Sequence, residues 1–381
     1  MRTRTLASVD EVPAAAWNAL AGDSSPFVRH EFLAALEHQG CVGPGTGWTP
    51  RIVVVEDSNN RLLGAAPCYE KTHSRGEFVF DFAWARAYSQ LGLDYYPKLV
   101  VGAPFSPVTG RRLLTGGATK SPAVQAALVQ GLKALAAERN CSSIHVLFPT
   151  AAEHVVLADA DFMKRSDCQF HWHNRDYGSF DDFLETFTAE KRKKVRRERR
   201  RIEEAGIRFR TLPGAKLTAA VWDELYPLYA DTFARHGHAP YLTRGFFIEL
   251  AHRLPAQLML KVATVADTPV GLAIFLIGTD TLYGRYWGTS GNFHSLHFEA
   301  CYYQGIDFCI ERGLRHFEPG TQGEHKVARG FVPTTVYSNH WIADRRFAAA
   351  IGRYLEQEGE AVERYAGAVR DHLPYKRGNL E

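Results

Sequence analysis

Between Glu318 and Arg329 the sequence FEPGTQGEHKVARGF brings together two carboxylates (Glu318, Glu324), an imidazole (His325), an amine (Lys326) and a guanidinium (Arg329), with Pro319, Gly320 and Gly323 between them. Acyl transfer to an amine asks for such groups: a base for the attacking ammonium, and a cation or donor pair for the oxyanion that develops on the carbonyl. It needs no metal. The plain alternative is an ordinary loop ion pair beyond the end of a strand, solvated and without chemistry.

A second concentration lies in the first half of the chain. GAPFSPVTGRRLL sets Gly110, Arg111 and Arg112 after an irregular Pro-rich loop, with Tyr95, Tyr96 and Lys98 just upstream. Two arginines there can clamp the phosphate or carboxylate of an acceptor, or they are surface residues of a packed loop; both readings stand. The third feature is KRKKVRRERRR, residues 191–201, with nine cations in eleven positions. Net charge over the whole chain is only +3, so the basicity is local and marks a defined contact with a polyanion.

Other chemistries are not signalled. Cys168, His171 and His173 in CQFHWH alternate across a predicted strand and cannot converge on one metal, and His294 and His297 beside Glu299 make no better site. Six cysteines are scattered without a CxxC pair, and none has a context that activates a thiolate. No metal site and no covalent intermediate are expected.

The elements that must position these residues follow from periodicity and turn chemistry. In the first half, WTPRIVVVEDSNNRLLGAAPCYEK predicts two strands about a turn at residues 58–60, and EFVFDFAW a third. A helix over SPAVQAALVQGLKALAAERN follows, with Ser121 as N-cap and Asn140 as stop, and then the strand SIHVLF. The second half repeats the order: LMLKVATVAD, a turn at Thr268-Pro269, VGLAIFLIGTD, TLYGRYWG, the helix LHFEACYYQGIDFCIERG and the strand RHFEPG. Mid-helix Gln130-Gly131 and Gln304-Gly305 correspond, so a tandem duplication is expected. In the first copy an apolar Leu147 or Phe148 stands where the second has Glu318, which makes the second copy the better catalytic candidate.

The basic run predicts a helix over 189–205, anchored by a narrow seam of Val195 and Ile202 and otherwise wet, with Lys193, Arg196, Arg197, Arg199 and Arg200 facing a polyanion. A solvated helix with no partner is the bland alternative. With 381 residues, 45% hydrophobic, the chain has material for two domains, expected at 1–165 and at 166–381, the latter holding the basic helix and a long C-terminal helix. No run of about 18 apolar residues occurs and no apolar leader opens the chain, so a cytoplasmic location is expected.

Meander, helix, strand is the order of the GNAT acyltransferase fold, and the predicted class is α/β (α+β) with two tandem GNAT-like domains. FTAEKRKKVRRERRRIEEAGIRFR and GEHKVARGF resemble blocks of the Fem-type aminoacyltransferases. YYPKLVVGAPFSPVTGRRLL, CQFHWHNRDYGSFDDFLETF and FEPGTQGEHKVARGFVPTTVYSNHW resemble the bacterial family named FemAB-like, or peptidoglycan biosynthesis and recognition proteins. The resemblance implies aminoacyl transfer from aminoacyl-tRNA to an amine acceptor, such as a cell-wall precursor, without a cofactor. It also implies that Lys326 stabilises the oxyanion; from the residue types beside it, Glu318 or His325 is expected to take the amine's proton. Glu324 and Arg329 are expected to bind substrate. His325 stands where the Fem block has phenylalanine, and Gly330-Phe331 reverses its Phe-Gly pair.

Two alternatives are carried forward. One is CoA-dependent N-acylation with acetyl-CoA or another acyl-CoA. The loop WGTSGNFHSLHFEA lacks the full pyrophosphate-binding motif of such enzymes, although Ser290-Gly291-Asn292 offers a small anion nest and Ser295 a helix cap. The other is a non-enzymatic protein that holds an anionic ligand.

Overall fold

Short β-branched runs and turn residues decide the strands. A computed structural model describes residues 1–116, 122–235, 237–321 and 323–376, so Ser121, the expected N-cap, lies outside the described residues. The chain divides into two units, Met1–Asp167 with Thr335–Arg364, and Cys168–Thr334 with Tyr365–Glu381.

In the first unit the strands are β1 (Arg2–Leu6), β2 (Trp48–Pro50), β3 (Ile52–Glu56), β4 (Leu62–Ala66), β5 (Cys68–Lys71), β6 (Lys98–Val101) and β7 (Ser143–Leu147). The two strands expected around residues 58–60 are each broken, at Arg51 and at Pro67. β1, β3 and β4 therefore form one small antiparallel sheet, while β2, β5, β6 and β7 lie in another. Proline lacks the N–H that would carry the ladder across such a break. β5 and β6 are antiparallel, and β6 and β7 are parallel, joined through the helix Pro122–Glu138. That helix buries Leu128, Val129 and Leu132 with Val53, Leu99 and Ile144. Gly131 permits the approach, since a Cβ there would stand 2.4 Å from Thr3 Cγ2.

The expected third strand, EFVFDFAW, is not one: Phe82–Gln90 is a helix. Its alternation suggested β structure, but Glu77 and Asp81 both turn inward to the ammonium of Lys98, a contact 17 to 21 residues away that periodicity does not register.

The second unit contains β8 (Met163–His173, from Cys168 on), β9 (Arg208–Pro213), β10 (Leu258–Val265), β11 (Thr268–Ile277), β12 (Thr281–Thr289) and β13 (His316–Glu318), in the sheet order β9-β10-β11-β12-β13-β8. The β10–β11 hairpin turns at Ala266-Asp267, both at positive φ, two residues before the expected Thr268-Pro269. β12 and β13 are the one parallel pair described in this unit, connected through a helical segment from Leu296 to Arg312 whose residues Glu299–Tyr303 form a π turn.

After β13 come β14 (Val332–Ile342) and the helix Arg345–Arg370. The expected second domain, 166–381, held all of this, but residues 335–364 belong to the first unit. Ser338–Ile342 pairs with β7, and Phe347, Ile351 and Leu355 pack with Trp84, Tyr88 and Tyr95. Helical spacing identifies the buried stripe; it carries no information about which core receives it. Each unit thus has an antiparallel segment, a helix and a parallel strand, which is the GNAT fold in tandem.

Candidate active site

The cleft of the second unit begins where a strand pair ends. β12 and β13 are in register from Thr281↔His316 to Tyr283↔Glu318 and then part. One residue later β12 carries a β-bulge: Ile274 and Phe275 of β11 face Tyr286 and Gly284, so Arg285 is the extra residue. Bulges bend a strand and re-aim its side chains. The resulting wedge is a cleft of about 440 Å³. Arg285 and Trp287 line one wall, Pro319, Gly320 and Thr321 the other, and His297, Cys301 and Tyr302 of the helix stand behind, with His325 and Lys326 closing it. The π turn widens the helix at this point, as π turns often do at functional sites.

Lys326 is 1% exposed, and its Nζ donates to the Gly320 carbonyl at 2.6 Å. Burial pushes its amine down to about 7, so near neutrality it exists in both charge states. Burial, reinforced by His325 and Lys326, lowers His297 to about 4. His325 is lowered by burial and then by Arg329 and Lys326, and its Nε2 lies 2.7 Å from the Tyr302 hydroxyl. Both imidazoles are therefore neutral at pH 7. Burial raises the Cys301 thiol, so it offers no thiolate. The site thus holds a permanent cation (Arg285), a titrating one (Lys326) and neutral imidazoles that can accept a proton.

Not every expected residue reaches the cleft. Glu318 occupies the last paired position opposite Tyr283, buried, and the wall starts at the next residue. Glu324 accepts from the Tyr365 hydroxyl at 2.9 Å. Arg329 lies on the Phe298 ring at 3.4 Å and donates to Glu198 Oε1 at 2.7 Å and to the His325 carbonyl. It positions the loop rather than meeting a substrate. Arg285, His297 and Tyr302 were missed as a group, because a bulge, a π turn and a loop bring them together and none of these has a period.

The basic helix, Ala189–Glu204, has a third buried member beside Val195 and Ile202. Glu198, the only carboxylate within the basic run 191–201, is turned inward and accepts from both Arg329 and the Tyr303 hydroxyl. Glu198→Gln keeps the shape but leaves Arg329 without its counter-charge. A loss of about 1–3 kcal/mol in urea unfolding is expected. The expected basic face also divides. Arg199 is half-buried against Glu299 (3.2 Å) and Asp307 (2.7 Å), with its guanidinium 4.4 Å from the Phe180 ring centre, and Arg196 pairs with Asp181 at 2.9 Å. Lys193, Arg197 and Arg200 are exposed.

The proposed acceptor clamp of the first unit is not open. Arg112 is 0% exposed: its Nε donates to the Leu147 carbonyl at 2.7 Å and its Nη2 to the Val108 carbonyl at 2.6 Å. Arg111 donates to the carbonyls of Ala21 and Gly116. The Gly110 N–H is bound to the Phe148 carbonyl. Just past β7, where the second unit opens its cleft past β13, the first is thus filled by its own loop. Lys98 is also fully buried, on Glu77 (2.8 Å), Ser74 (2.9 Å) and Asp81, while the Tyr95 hydroxyl donates to Asp81 at 2.6 Å and Tyr96 bonds Ser74. Arginine and lysine in a Gly/Pro-rich loop read as surface residues; here backbone carbonyls and buried carboxylates hold them inside.

The expected anion nest is likewise occupied. Ser290 N–H donates to the Val270 carbonyl at 3.1 Å and Gly291 N–H to Thr289 Oγ1 at 3.4 Å, while Ser295 makes no cap. Among the described residues no group of three or more His, Cys, Asp or Glu is arranged to hold a metal.

A family model described as FemAB-like, peptidoglycan biosynthesis/recognition, matches residues 8–377. No curated protein matches the sequence. Among solved structures, the chain resembles the C-terminal domain (DUF2156) of a protein from Agrobacterium fabrum assigned as a lysylphosphatidylglycerol synthetase. The TM-score is 0.56 at 9% identity, over 91% of this chain and 97% of that one. FemX gives 0.54 at 11% identity, over 92% and 100% of the two chains. L-PGS from Bacillus licheniformis gives 0.50 at 11%, over 89% and 98%. At these identities the three show a shared fold.

Proposed function

The chain belongs to the FemAB-like family of peptidoglycan biosynthesis/recognition proteins, and from that membership we propose that it transfers an aminoacyl group from a charged tRNA to an amine on a cell-wall precursor. It is an acyltransferase; the donor and the acceptor are the proposal. The observation that carries it is Lys326, buried in the cleft where β12 and β13 part, beside the neutral imidazole of His325.

In this reaction the acceptor ammonium gives a proton to His325 and its nitrogen attacks the ester carbonyl. Lys326, in its charged form, and Arg285 stabilise the oxyanion. A C–N bond forms and the ester C–O bond breaks; of the two protons the nitrogen gives up, one passes through His325 to solvent and the other leaves on the tRNA hydroxyl. His325 is preferred over Glu318 as the base because it lines the cleft. No cofactor is proposed. The engaged amides of Ser290 and Gly291 favour a charged tRNA over acyl-CoA, whose pyrophosphate needs free N–H groups there. Charged tRNA is cytoplasmic, and we place the reaction there; among the described residues no helix is long and apolar enough to cross a membrane.

The test is parallel incubation with aminoacyl-tRNA and with acetyl-CoA, followed by mass spectrometry of candidate amine acceptors. Transfer from acetyl-CoA alone would overturn the reading.

The exposed side of the basic helix is the proposed tRNA contact. Replacing Lys193, Arg197 and Arg200 by Ala should weaken tRNA binding by about tenfold at physiological salt and reduce the slope of log K against log salt by about 2 to 3. A salt titration of filter binding measures both, and an unchanged slope removes the helix from the donor site.

A further inference from the structure

Eight large apolar side chains are exposed among the described residues, and four of them, Phe80, Phe82, Leu91 and Leu93, fall within fourteen positions of the first unit. They flank the helix Phe82–Gln90, whose inner side, Trp84 and Tyr88, packs against Phe347 and Ile351 of the C-terminal helix. At one end Phe80 stacks on Phe82 with ring centres 6.0 Å apart, and the Phe80 carbonyl accepts from Arg165. Arg165 also holds Glu358, which accepts from exposed Tyr354. At the other end Leu91 and Leu93 border a cleft of about 380 Å³ with Arg346, Phe347 and Ala350. Leu91 is 70% exposed.

The cations on this surface are all arginines. Arg86 lies between the two apolar ends, and Arg345, Arg346 and Arg353 are exposed on the C-terminal helix beside them. Most of the nearby carboxylates are already paired: Asp344 holds Arg346 at 2.9 Å, Glu358 is taken by Arg165 and Glu360 lies 3.5 Å from Arg364, while Asp94 and Glu356 are exposed. Apolar tips of this size clustered among arginines mark an interaction surface. A second copy is the poorer occupant, because a two-fold contact would set this arginine-rich patch against itself. A layer that is apolar beneath and anionic above satisfies both kinds of side chain at once.

We propose that this face of the first unit docks on an anionic lipid bilayer surface, with Phe80, Phe82, Leu91 and Leu93 entering the boundary between headgroups and acyl chains and the arginines meeting lipid phosphates. The contact is peripheral. It is independent of the proposed transfer and of the basic helix in the second unit.

Flotation of the full chain with vesicles of phosphatidylcholine, with and without phosphatidylglycerol, tests it. The parent should float with the phosphatidylglycerol vesicles. A variant with all four apolar residues changed to Ser should bind about tenfold less, and Lys193→Ala/Arg197→Ala/Arg200→Ala should keep most of the binding. Leu91→Ser alone, at the most exposed of the four, should show a smaller loss and guards against misfolding of the fourfold variant. Failure of the parent to float, flotation of the fourfold and single variants like the parent, or loss of flotation only in the basic-helix variant would each overturn the proposal. So would light scattering that shows a dimer which the Ser substitutions dissociate and no vesicle binding by the parent.

Discussion

Lys326→Met is expected to lower single-turnover transfer by about 10²- to 10³-fold, the usual loss when one donor to an oxyanion is removed, while the protein melts no lower than the parent. The two results belong together. The amine is buried with no carboxylate paired to it in the cleft, so folding has to desolvate it, and burial holds it at about 7. A methionine of similar length removes that penalty and forfeits one bond to the Gly320 carbonyl. Stability gained where activity is lost marks a residue kept for chemistry.

The sign of the pH dependence follows from the same shift. Between about 7 and its ordinary value of 10.5 the unfolded chain holds a proton on Lys326 that the folded chain does not. Stability from this group therefore rises with pH across that window, and the rise should vanish in Lys326→Met. For catalysis the charged form is the useful one. As pH increases, kcat/KM should climb with deprotonation of the acceptor amine, break near 7, and level off. In Lys326→Arg, whose charge persists, the climb should continue past 7. A parent profile with no break near 7 would take the ammonium of Lys326 out of the mechanism.

The second large effect lies far from any chemistry. Lys98→Met should destabilise the protein by about 3–5 kcal/mol at pH 8, as removal of one partner from a buried ion cluster does. Lys98 answers both Glu77 and Asp81. Burial pushes Asp81 up, but Lys98 together with the hydroxyls of Ser74 and Tyr95 more than reverses this and holds it low; Glu77, against the same cation, is still pushed up to about 7 by burial. At pH 5 Glu77 is protonated in the fold and no longer depends on the cation, so the loss should be smaller there. Urea unfolding at the two pH values measures the difference, and Glu77→Gln combined with Lys98→Met should recover part of the loss at pH 8. Equal losses at both pH values would mean that Glu77 is not coupled to Lys98.

These two lysines show how much was legible beforehand. Both stand in stretches that read as loops or strand ends with nearby charges, and both were singled out by residue type. Lys326 was expected to stabilise an oxyanion, and it lines the cleft, while Glu318, read as the residue nearest the chemistry, stops one position short of it. Lys98, Arg111 and Arg112 were expected to bind an acceptor and instead hold the first unit together. Nothing within ten residues of Lys98 announces that Glu77 and Asp81 will turn toward it, nor that Leu147 and Val108 will offer Arg112 their carbonyls.

Local order was what the sequence determined by itself: the repeated run of strands, helix and strand, the helix stop at Asn140, the basic helix over 189–205, and the buried seams of the amphipathic helices. Such features depend on periods and turn residues that neighbours in the chain supply. Only the tertiary structure decided that residues 335–364 return to the first unit, that Glu198 faces inward to Arg329, and that the bulge at Arg285 and the π turn at Glu299–Tyr303 complete the cleft. These are choices of partner between segments tens to hundreds of residues apart. They are fixed by desolvation and charge pairing in the packed interior, and no local pattern encodes them.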